Sequence, residues 1–258
     1  MKHPLLLDRR AFLAAAAALA AGATHAAIAS GPGQGPRPKA IAFDAFPIID
    51  PRPIATRAEQ RFPGYGERLM AAWRTRQFEY SWLRTLGDRY VDFWHTTQDA
   101  LVFAASSLGL TLGASTRDDL MHAYLDLEVW PDVRPALERF RDAGIRLAFL
   151  SNFTAQMLDA ALRNAGLRDF FGEHMSADRV RAFKPDPRTY AMALQDFRAN
   201  KQEIVFCAAA GWDVAGANWF GYRTFWMNRA KQPPEELGVQ ADGVGSGMGE
   251  LTSFVLGS

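Results

Sequence analysis

Asp44 is the residue of this chain best placed to act as a nucleophile. It directly follows the apolar run Ala40–Phe43, which predicts a buried β-strand. A carboxylate at the exposed end of such a strand can attack a carbon atom and form an ester that water later cleaves. The plainer interpretation is an aspartate that caps a helix or a turn. We expect Asp44 to be the reacting group of a hydrolytic site.

Three further segments carry polar side chains that could complete a site around Asp44. Lys184 lies in the sequence Lys-Pro-Asp-Pro, whose prolines restrict the loop that presents the ammonium group. An ammonium group beside a carboxylate favours its ionised, attacking form. Ser151 and Asn152 follow another apolar run and offer a hydroxyl, an amide and main-chain donors to an anion. Asp213 follows a third run, in the turn Gly-Trp-Asp.

The elements that must position these residues follow an alternating pattern. Short apolar runs alternate with amphipathic stretches, which is typical of an α/β fold in which helices cover a parallel sheet. In such Rossmann-like sheets ligands bind at the carboxyl ends of the strands, where the polar residues stand. Four runs are the candidate strands: Ala40–Phe43, Arg146–Leu150, Ile204–Ala209 and Arg223–Met227.

The long stretch between the first two candidate strands has almost no strand signal. Its apolar residues recur at helical spacing, as in Leu69, Trp73 and Phe78. This pattern predicts a helical cap domain over residues 53–130, inserted into an α/β core domain. The core is expected to consist of two segments: residues 39–52 and residues 131–258.

The N-terminal residues predict an export signal that is not part of the fold. Asp8-Arg-Arg-Ala-Phe-Leu13 precedes an alanine-rich apolar run, and paired arginines there are typical of a twin-arginine signal peptide over residues 1–29. A helical membrane anchor is the alternative, but the run has few large side chains. Residues 30–38, rich in glycine and proline, are expected to be a linker. On this interpretation the mature protein is periplasmic.

Composition and charge narrow the class of partner. The chain has 258 residues, 48% of them hydrophobic and 22% charged, as in a globular protein. With 29 basic against 28 acidic side chains, its net charge of +1 gives no overall field to attract nucleic acid. We expect a small-molecule partner, no nucleic acid, and contact with a membrane only during export. The single cysteine, Cys207, is expected to be a buried structural thiol.

Five ordered motifs resemble those of the haloacid dehalogenase superfamily, and within it the L-2-haloacid (type II) dehalogenases. The resemblance extends from Lys39 to Phe254 and includes a helix, from Trp73 to Leu83, that is characteristic of the type II branch. It implies the haloacid dehalogenase fold, hydrolysis of a carbon–halogen bond through an Asp44 ester, and a homodimer. The motifs are Ile-Ala-Phe-Asp44, the helix with Trp73-Arg74, Leu150-Ser151-Asn152, Lys184-Pro-Asp-Pro-Arg-Thr-Tyr190 and Gly211-Trp212-Asp213.

The resemblance also implies roles for individual side chains. Arg74, on the cap, would face the nucleophile and draw away the departing halide, and its permanent charge suits a developing anion. Asp213 would orient Lys184 or the hydrolytic water, so that Asp44, Arg74, Lys184 and Asp213 form the catalytic set. The expected substrate contacts are Ser151, Asn152, Tyr190, Trp212, Phe78 and Phe93.

Phe46 separates this chain from the phosphatases of the same superfamily. Those enzymes place a second aspartate two residues after the nucleophile, where it protonates the leaving group and where nearby carboxylates hold magnesium. A phenylalanine can do neither, whereas a departing halide needs no proton. We therefore expect neither a metal nor a cofactor. A phosphohydrolase is the alternative activity.

The run Ala208-Ala-Ala210 departs from the family pattern, which has Ser-Ser-Asn at this place. Polar side chains there would position Lys184 and the ester-cleaving water, and one oriented donor contributes roughly 2.7–4 kcal/mol in such sites. Their absence keeps open a second alternative, a non-catalytic relative that binds a carboxylate. The favoured prediction is hydrolytic dehalogenation of short 2-haloalkanoic acids to 2-hydroxy acids, with inversion at the reacting carbon.

Overall fold

A six-stranded parallel β-sheet forms the centre of the molecule in a computed structural model that describes residues 37–257. The strands are β1 (Ala40–Phe43), β2 (Arg146–Ser151), β3 (Met175–Ser176), β4 (Ile204–Ala208), β5 (Arg223–Met227) and β6 (Gly243–Gly245). Their order in the sheet is β3-β2-β1-β4-β5-β6, and every neighbouring pair is parallel. The predicted α/β fold with a parallel core sheet is confirmed.

The four predicted strands are all present. β1 and β5 have the expected bounds, β2 is one residue longer and β4 one residue shorter than expected. The two strands without a sequence prediction, β3 and β6, are the edges of the sheet. The predicted signal peptide, and the linker as far as residue 36, lie outside the described residues.

Helices cover the sheet and form the segment between β1 and β2. They are α1 (Arg52–Arg61), α2 (Gly66–Leu86), α3 (Phe93–Ser107), α4 (Ala114–His122), α5 (Val133–Asp142), α6 (Ala155–Ala165), α7 (Pro187–Phe197), α8 (Gly211–Phe220) and α9 (Met248–Leu256). Within residues 37–257, none of these helices combines the length and the apolar character needed to span a membrane.

β1 lies between β2 and β4 and is buried on both faces. Ile41 and Phe43 pack into one hydrophobic cluster, and Ala40 and Ala42 into another, because successive side chains of a strand point to opposite faces. The strand ends beside Cys207 of β4, whose carbonyl accepts a 2.8 Å hydrogen bond from the backbone N–H of Asp44. The thiol of Cys207 is buried as expected, and burial raises its pKa.

Helices α1–α4 lie in the segment predicted as the cap, and the chain enters and leaves this segment at one crossing. An antiparallel bridge joins Ile49 to Val129, and the N–H of Trp130 donates to the carbonyl of Ile48 at 3.0 Å. The predicted cap, residues 53–130, begins just after this crossing and ends at Trp130, which takes part in it. The cap has its own packing, since the buried indole of Trp73 on α2 donates a 2.7 Å hydrogen bond to the carbonyl of Thr97 on α3.

Candidate active site

The side chain of Lys184 reaches under the carboxyl ends of β1, β2 and β4. Its Nζ donates to Oδ1 of Asp44 at 2.8 Å, to Oδ2 of Asp213 at 2.5 Å and to the carbonyl of Leu150 at 3.2 Å. These three acceptors use all three N–H bonds of an ammonium group. The structure thus brings together the nucleophile, lysine and second aspartate that the sequence predicts for one site.

Local contacts fix the loop that carries Lys184. Its backbone N–H donates a 2.9 Å hydrogen bond to Oδ1 of Asn152, which ties this loop to the end of β2. Asp186 then caps α7, because its side chain accepts from the N–H of Arg188 at 2.9 Å. The hydroxyl of Thr189 donates to the carbonyl of Ala182 at 2.7 Å and closes the loop from the other side.

Asp44 is the most exposed of the three charged residues Asp44, Lys184 and Asp213. The exposed fraction of its side chain is 15%, against 1% for both Lys184 and Asp213. Its carboxylate also accepts hydrogen bonds from the hydroxyl of Ser151 at 3.4 Å and from the N–H of Phe46 at 3.5 Å. These weak contacts leave a carboxylate oxygen available for attack.

Burial and neighbouring charges together set the pKa values of Asp213 and Lys184. Burial, helped by the charge of Asp44, raises the pKa of Asp213 to about 6, although Lys184 and the Tyr190 hydroxyl oppose the rise. Burial lowers the pKa of Lys184, but the charges of Asp213 and Asp44 outweigh it, so its pKa is raised. Lys184 is therefore an ammonium group at neutral pH, and it stabilises negative charge on both carboxylates.

Tyr190 lies behind the cavity and is fully buried. Its hydroxyl donates to Oδ1 of Asp213 at 2.7 Å, and burial followed by the Asp213 charge raises its pKa well above the usual value. The structure therefore places it against Asp213, whereas the resemblance suggested a contact with substrate. The reason is geometric, since Tyr190 sits on α7 beneath the turn that begins α8.

A small cavity of about 20 Å³ lies over Asp44. That volume is near the space needed for a single water molecule, so the cap is closed over the site. All the predicted site residues except Tyr190 line it. The complete lining is Asp44, Phe46, Arg74, Phe78, Phe93, Ser151, Asn152, Phe153, Lys184, Ala210, Trp212 and Asp213.

Five aromatic side chains line the cavity. Phe93 of the cap stacks on Phe153 at 5.4 Å between ring centroids, and Phe46 meets the same ring edge to face at 5.4 Å. Phe78 packs edge to face against Trp212 at 5.1 Å. Sequence reasoning missed Phe153, although its position directly after Ser151-Asn152 is the signal that could have found it.

The Ala208-Ala-Ala210 segment presents methyl groups where polar side chains were expected from the family pattern. Ala208 is fully buried and Ala210 lines the cavity. The carbonyl of Ala209 is bound by the indole N–H of Trp226 at 3.1 Å, so it faces away from Asp44 toward β5. Within the described chain the buried indole nitrogen of Trp212 has no hydrogen-bond partner.

The cavity over Asp44 differs in composition from other cavities. Two larger ones, of about 860 and 400 Å³, contain none of the predicted site residues. Across residues 37–257 there is no group of three or more histidine, cysteine, aspartate or glutamate side chains that could hold a metal ion. The chemistry that the site can support is attack by the partly buried carboxylate of Asp44 on a small, partly apolar molecule.

This chain is similar to proteins of known activity. The model of the haloacid dehalogenase-like hydrolase family matches residues 9–221. The (S)-2-haloacid dehalogenase of Pseudomonas sp. (strain YL) is 42% identical over 205 residues, which cover 79% of this chain and 88% of that protein. Haloacetate dehalogenase H-2 of Moraxella sp. (strain B) is 35% identical over 205 residues, which cover 79% of this chain and 92% of that protein.

A solved structure shares the fold over nearly its whole length. It is the L-2-haloacid dehalogenase from Xanthobacter autotrophicus with chloropropionic acid covalently bound. The TM-score is 0.79 at 33% sequence identity, and the match covers 85% of this chain and 99% of that chain.

Proposed function

The chain belongs to the haloacid dehalogenase-like hydrolases, and on that premise we propose that it hydrolyses short 2-haloalkanoic acids to 2-hydroxy acids. One observation carries the proposal: the ammonium group of Lys184 lies 2.8 Å from Oδ1 of Asp44, below a cavity with aromatic walls. An ionised carboxylate that faces an apolar cavity is a suitable nucleophile for an alkyl halide. The similarity to (S)-2-haloacid dehalogenases supports the same substrate class.

The first step is alkylation of Asp44. One carboxylate oxygen attacks C2 of the haloacid, the carbon–halogen bond breaks, and the halide leaves with the bonding electrons. The attack comes from the side opposite the halogen, so the configuration at C2 is inverted. Arg74 offers a permanent positive charge to the departing halide, and Ser151 with Asn152 offers donors to the substrate carboxylate.

The second step is hydrolysis of the ester. Water adds to the acyl carbon of Asp44, the bond from that carbon to the substrate oxygen breaks, and the 2-hydroxy acid leaves. One water is consumed overall, and one halide and one proton are released. Lys184 lies beside the ester and would stabilise the negative charge that develops on it, and Asp213 would hold Lys184 in place. Because the Ala208-Ala-Ala210 segment supplies no side-chain donor, we expect this step to be the slower one.

Phe46 weighs against a phosphohydrolase. Its ring packs edge to face against Phe153 at 5.4 Å, so a hydrocarbon fills the place where the phosphatases of the superfamily carry an acid. A hydrocarbon can neither protonate a phosphate ester nor bind magnesium. Halide release should survive EDTA. Loss of activity that magnesium restores would favour the phosphohydrolase.

The decisive experiment measures halide release from racemic 2-chloropropionate and from bromoacetate. We expect release by the wild type and none by Asp44→Asn, with intact-protein mass spectrometry to detect the ester. A substrate-sized mass increase without halide turnover would mean that attack proceeds and that hydrolysis has stalled. Binding of 2-chloropropionate with neither halide nor ester would favour the non-catalytic, carboxylate-binding relative.

Isotope labelling tests the Asp44 ester directly. In a single turnover in H₂¹⁸O, water attack on the acyl carbon places the label in the Asp44 carboxylate. The peptide that contains Asp44 should therefore gain about 2 Da, while the product hydroxyl carries unlabelled oxygen. Label in the product after a single turnover would mean that water attacks the substrate directly.

We also propose that the mature enzyme acts in the periplasm after twin-arginine export. The paired Arg9 and Arg10 ahead of an apolar, alanine-rich run support this location. Fractionation of cells that express the full chain should recover halide-releasing activity in the periplasm. The variant with both Arg9→Lys and Arg10→Lys should hold the activity in the cytoplasm.

We propose in addition that the protein is a homodimer. Helices α2 and α3 of the cap carry large apolar side chains that are at least two-fifths exposed, which supports an interface there. They are Leu83, Leu86, Val102 and Phe103. Light scattering after gel filtration should give twice the chain mass, and Leu86→Asp should give the monomer.

A further inference from the structure

The guanidinium group of Arg74 is held by aromatic rings. Its central carbon lies 5.5 Å from the ring centroid of Phe46 and 5.6 Å from that of Phe78. Both distances are within the range of a cation–π contact. Within residues 37–257, no carboxylate lies within ion-pair distance of Arg74, so its charge is not neutralised.

Two of the three other arginines of the same helix are neutralised, and the third, Arg68, lies over the ring of Tyr65. Arg76 pairs with Glu79 at 2.9 Å, and Arg84 pairs with Asp99 at 2.6 Å. A carboxylate would also orient Arg74, but it would compete with any anion that approaches it. Two ring faces can fix the direction of a planar guanidinium group and leave its full positive charge available.

The two rings come from opposite sides of the cleft. Phe78 stands one helical turn after Arg74 on α2, and it packs against Trp212 at 5.1 Å. Phe46 stands on the core, two residues after Asp44, and its carbonyl accepts a 3.0 Å hydrogen bond from the indole of Trp130. The second ring contact of Arg74 therefore exists only while the cap is closed over Asp44.

We propose that Phe46 and Phe78 are positioning residues that direct the unpaired Arg74 guanidinium at the departing halide when the cap closes. This inference rests on the proposed dehalogenation. A group that stabilises the leaving halide contributes most when the leaving group is poor, because more negative charge then needs stabilisation in the transition state. Loss of either ring should impair the cleavage of carbon–chlorine bonds more than that of carbon–bromine bonds.

The test compares kcat/KM for 2-chloropropionate and 2-bromopropionate in Phe46→Leu and Phe78→Leu. Tyr80→Leu is the matched control, because Arg76 lies 5.6 Å from the Tyr80 ring on the same helix, outside the cavity. We expect the chloride-to-bromide ratio of kcat/KM to fall about threefold or more in both phenylalanine variants and to stay unchanged in the control. Phe78→Tyr, which keeps a ring, should restore the ratio.

Equal losses on the two substrates, or the same change of ratio in Tyr80→Leu, would overturn the inference. Far-UV circular dichroism and thermal unfolding of each variant identify a variant that has simply failed to fold. Failure of the proposed function is separate, because the wild type would then release no halide at all. In that case bromide binding to the wild type and to both leucine variants, measured by tryptophan fluorescence, tests whether the rings position Arg74. Weaker bromide binding in both leucine variants supports the inference, and equal binding overturns it.

Discussion

The hydroxyl of Tyr190 donates a 2.7 Å hydrogen bond to Oδ1 of Asp213, the carboxylate whose other oxygen accepts from Lys184. Asp213 thus has a donor on each oxygen. Its pKa is nevertheless raised, to about 6, because burial outweighs both donors. The ionisation of this carboxylate falls in the pH range where the enzyme can be assayed.

The acid side of the pH–kcat profile should report Asp213. Below about pH 6 the carboxylate takes up a proton and loses the charge that orients Lys184, so kcat should fall as the pH falls. The hydrogen bond from Tyr190 lowers the pKa of Asp213, so its removal in Tyr190→Phe raises that pKa. The acid limb of the variant should therefore move to higher pH. A limb that moves to lower pH, or does not move, would contradict this assignment.

Removal of the Lys184 charge should destabilise the fold as well as abolish halide release. Lys184→Met leaves Asp44 and Asp213 without a cation in a buried site, and loss of one partner of a buried ion pair costs about 3–5 kcal/mol. Urea unfolding measures this loss in free energy of unfolding. Adding Asp213→Asn should recover part of it without restoring activity. If the double variant is no more stable than Lys184→Met, loss of the Lys184–Asp213 ion pair does not account for the lower free energy of unfolding.

Polar side chains at positions 208–210 should accelerate the second step. The triple variant Ala208→Ser, Ala209→Ser, Ala210→Asn restores the family pattern next to Asp44, and Ala210 lines the cavity. We expect turnover to rise about tenfold or more, since one oriented donor can change kcat by about 10² to 10³. Rapid-quench mass spectrometry should show unchanged formation of the ester and faster decay. Faster formation of the ester with unchanged decay would contradict the prediction, because the new side chains would then act on the alkylation of Asp44 and not on hydrolysis.

The strands that the sequence predicts are those long enough to show a pattern. β3 has two residues and β6 has three, which is too short for hydrophobic periodicity. Gly243 and Gly245 also weaken any strand signal in β6. These edges form because β2 and β5 offer unpaired backbone groups to them, and that information lies outside the segments themselves.

The sequence predicts which residues gather at the site better than it predicts their contacts. Asp44 and Asp213 follow strands and Ser151 ends one, so the topology of the sheet alone brings them to one edge. That Tyr190 touches Asp213, or that Phe153 completes the wall, depends on side-chain packing between separate loops. Such packing has no periodic signal in the chain.

Contacts between the cap and the core should control entry to the site. The hydroxyl of Tyr90 donates to Oδ1 of Asp178 at 2.5 Å, and the hydroxyl oxygen of Thr85 accepts from the N–H of Phe183 at 3.0 Å. Both contacts bind the core loop that leads into Lys184. Because a cavity of about 20 Å³ leaves little room for 2-chloropropionate, we expect these contacts to open when the substrate enters.

Tyr90→Phe removes one of these contacts and should favour the open cap. We expect KM to rise several-fold, and hydrogen exchange to increase at the C-terminal end of α2, because the closed state loses a charge-assisted hydrogen bond. Tyr65→Phe, at the other end of α2, is the control and should change neither. If exchange at α2 stays at the wild-type rate while KM rises, Tyr90 acts on the substrate site by another route. If neither quantity changes, the Tyr90–Asp178 bond does not hold the cap closed.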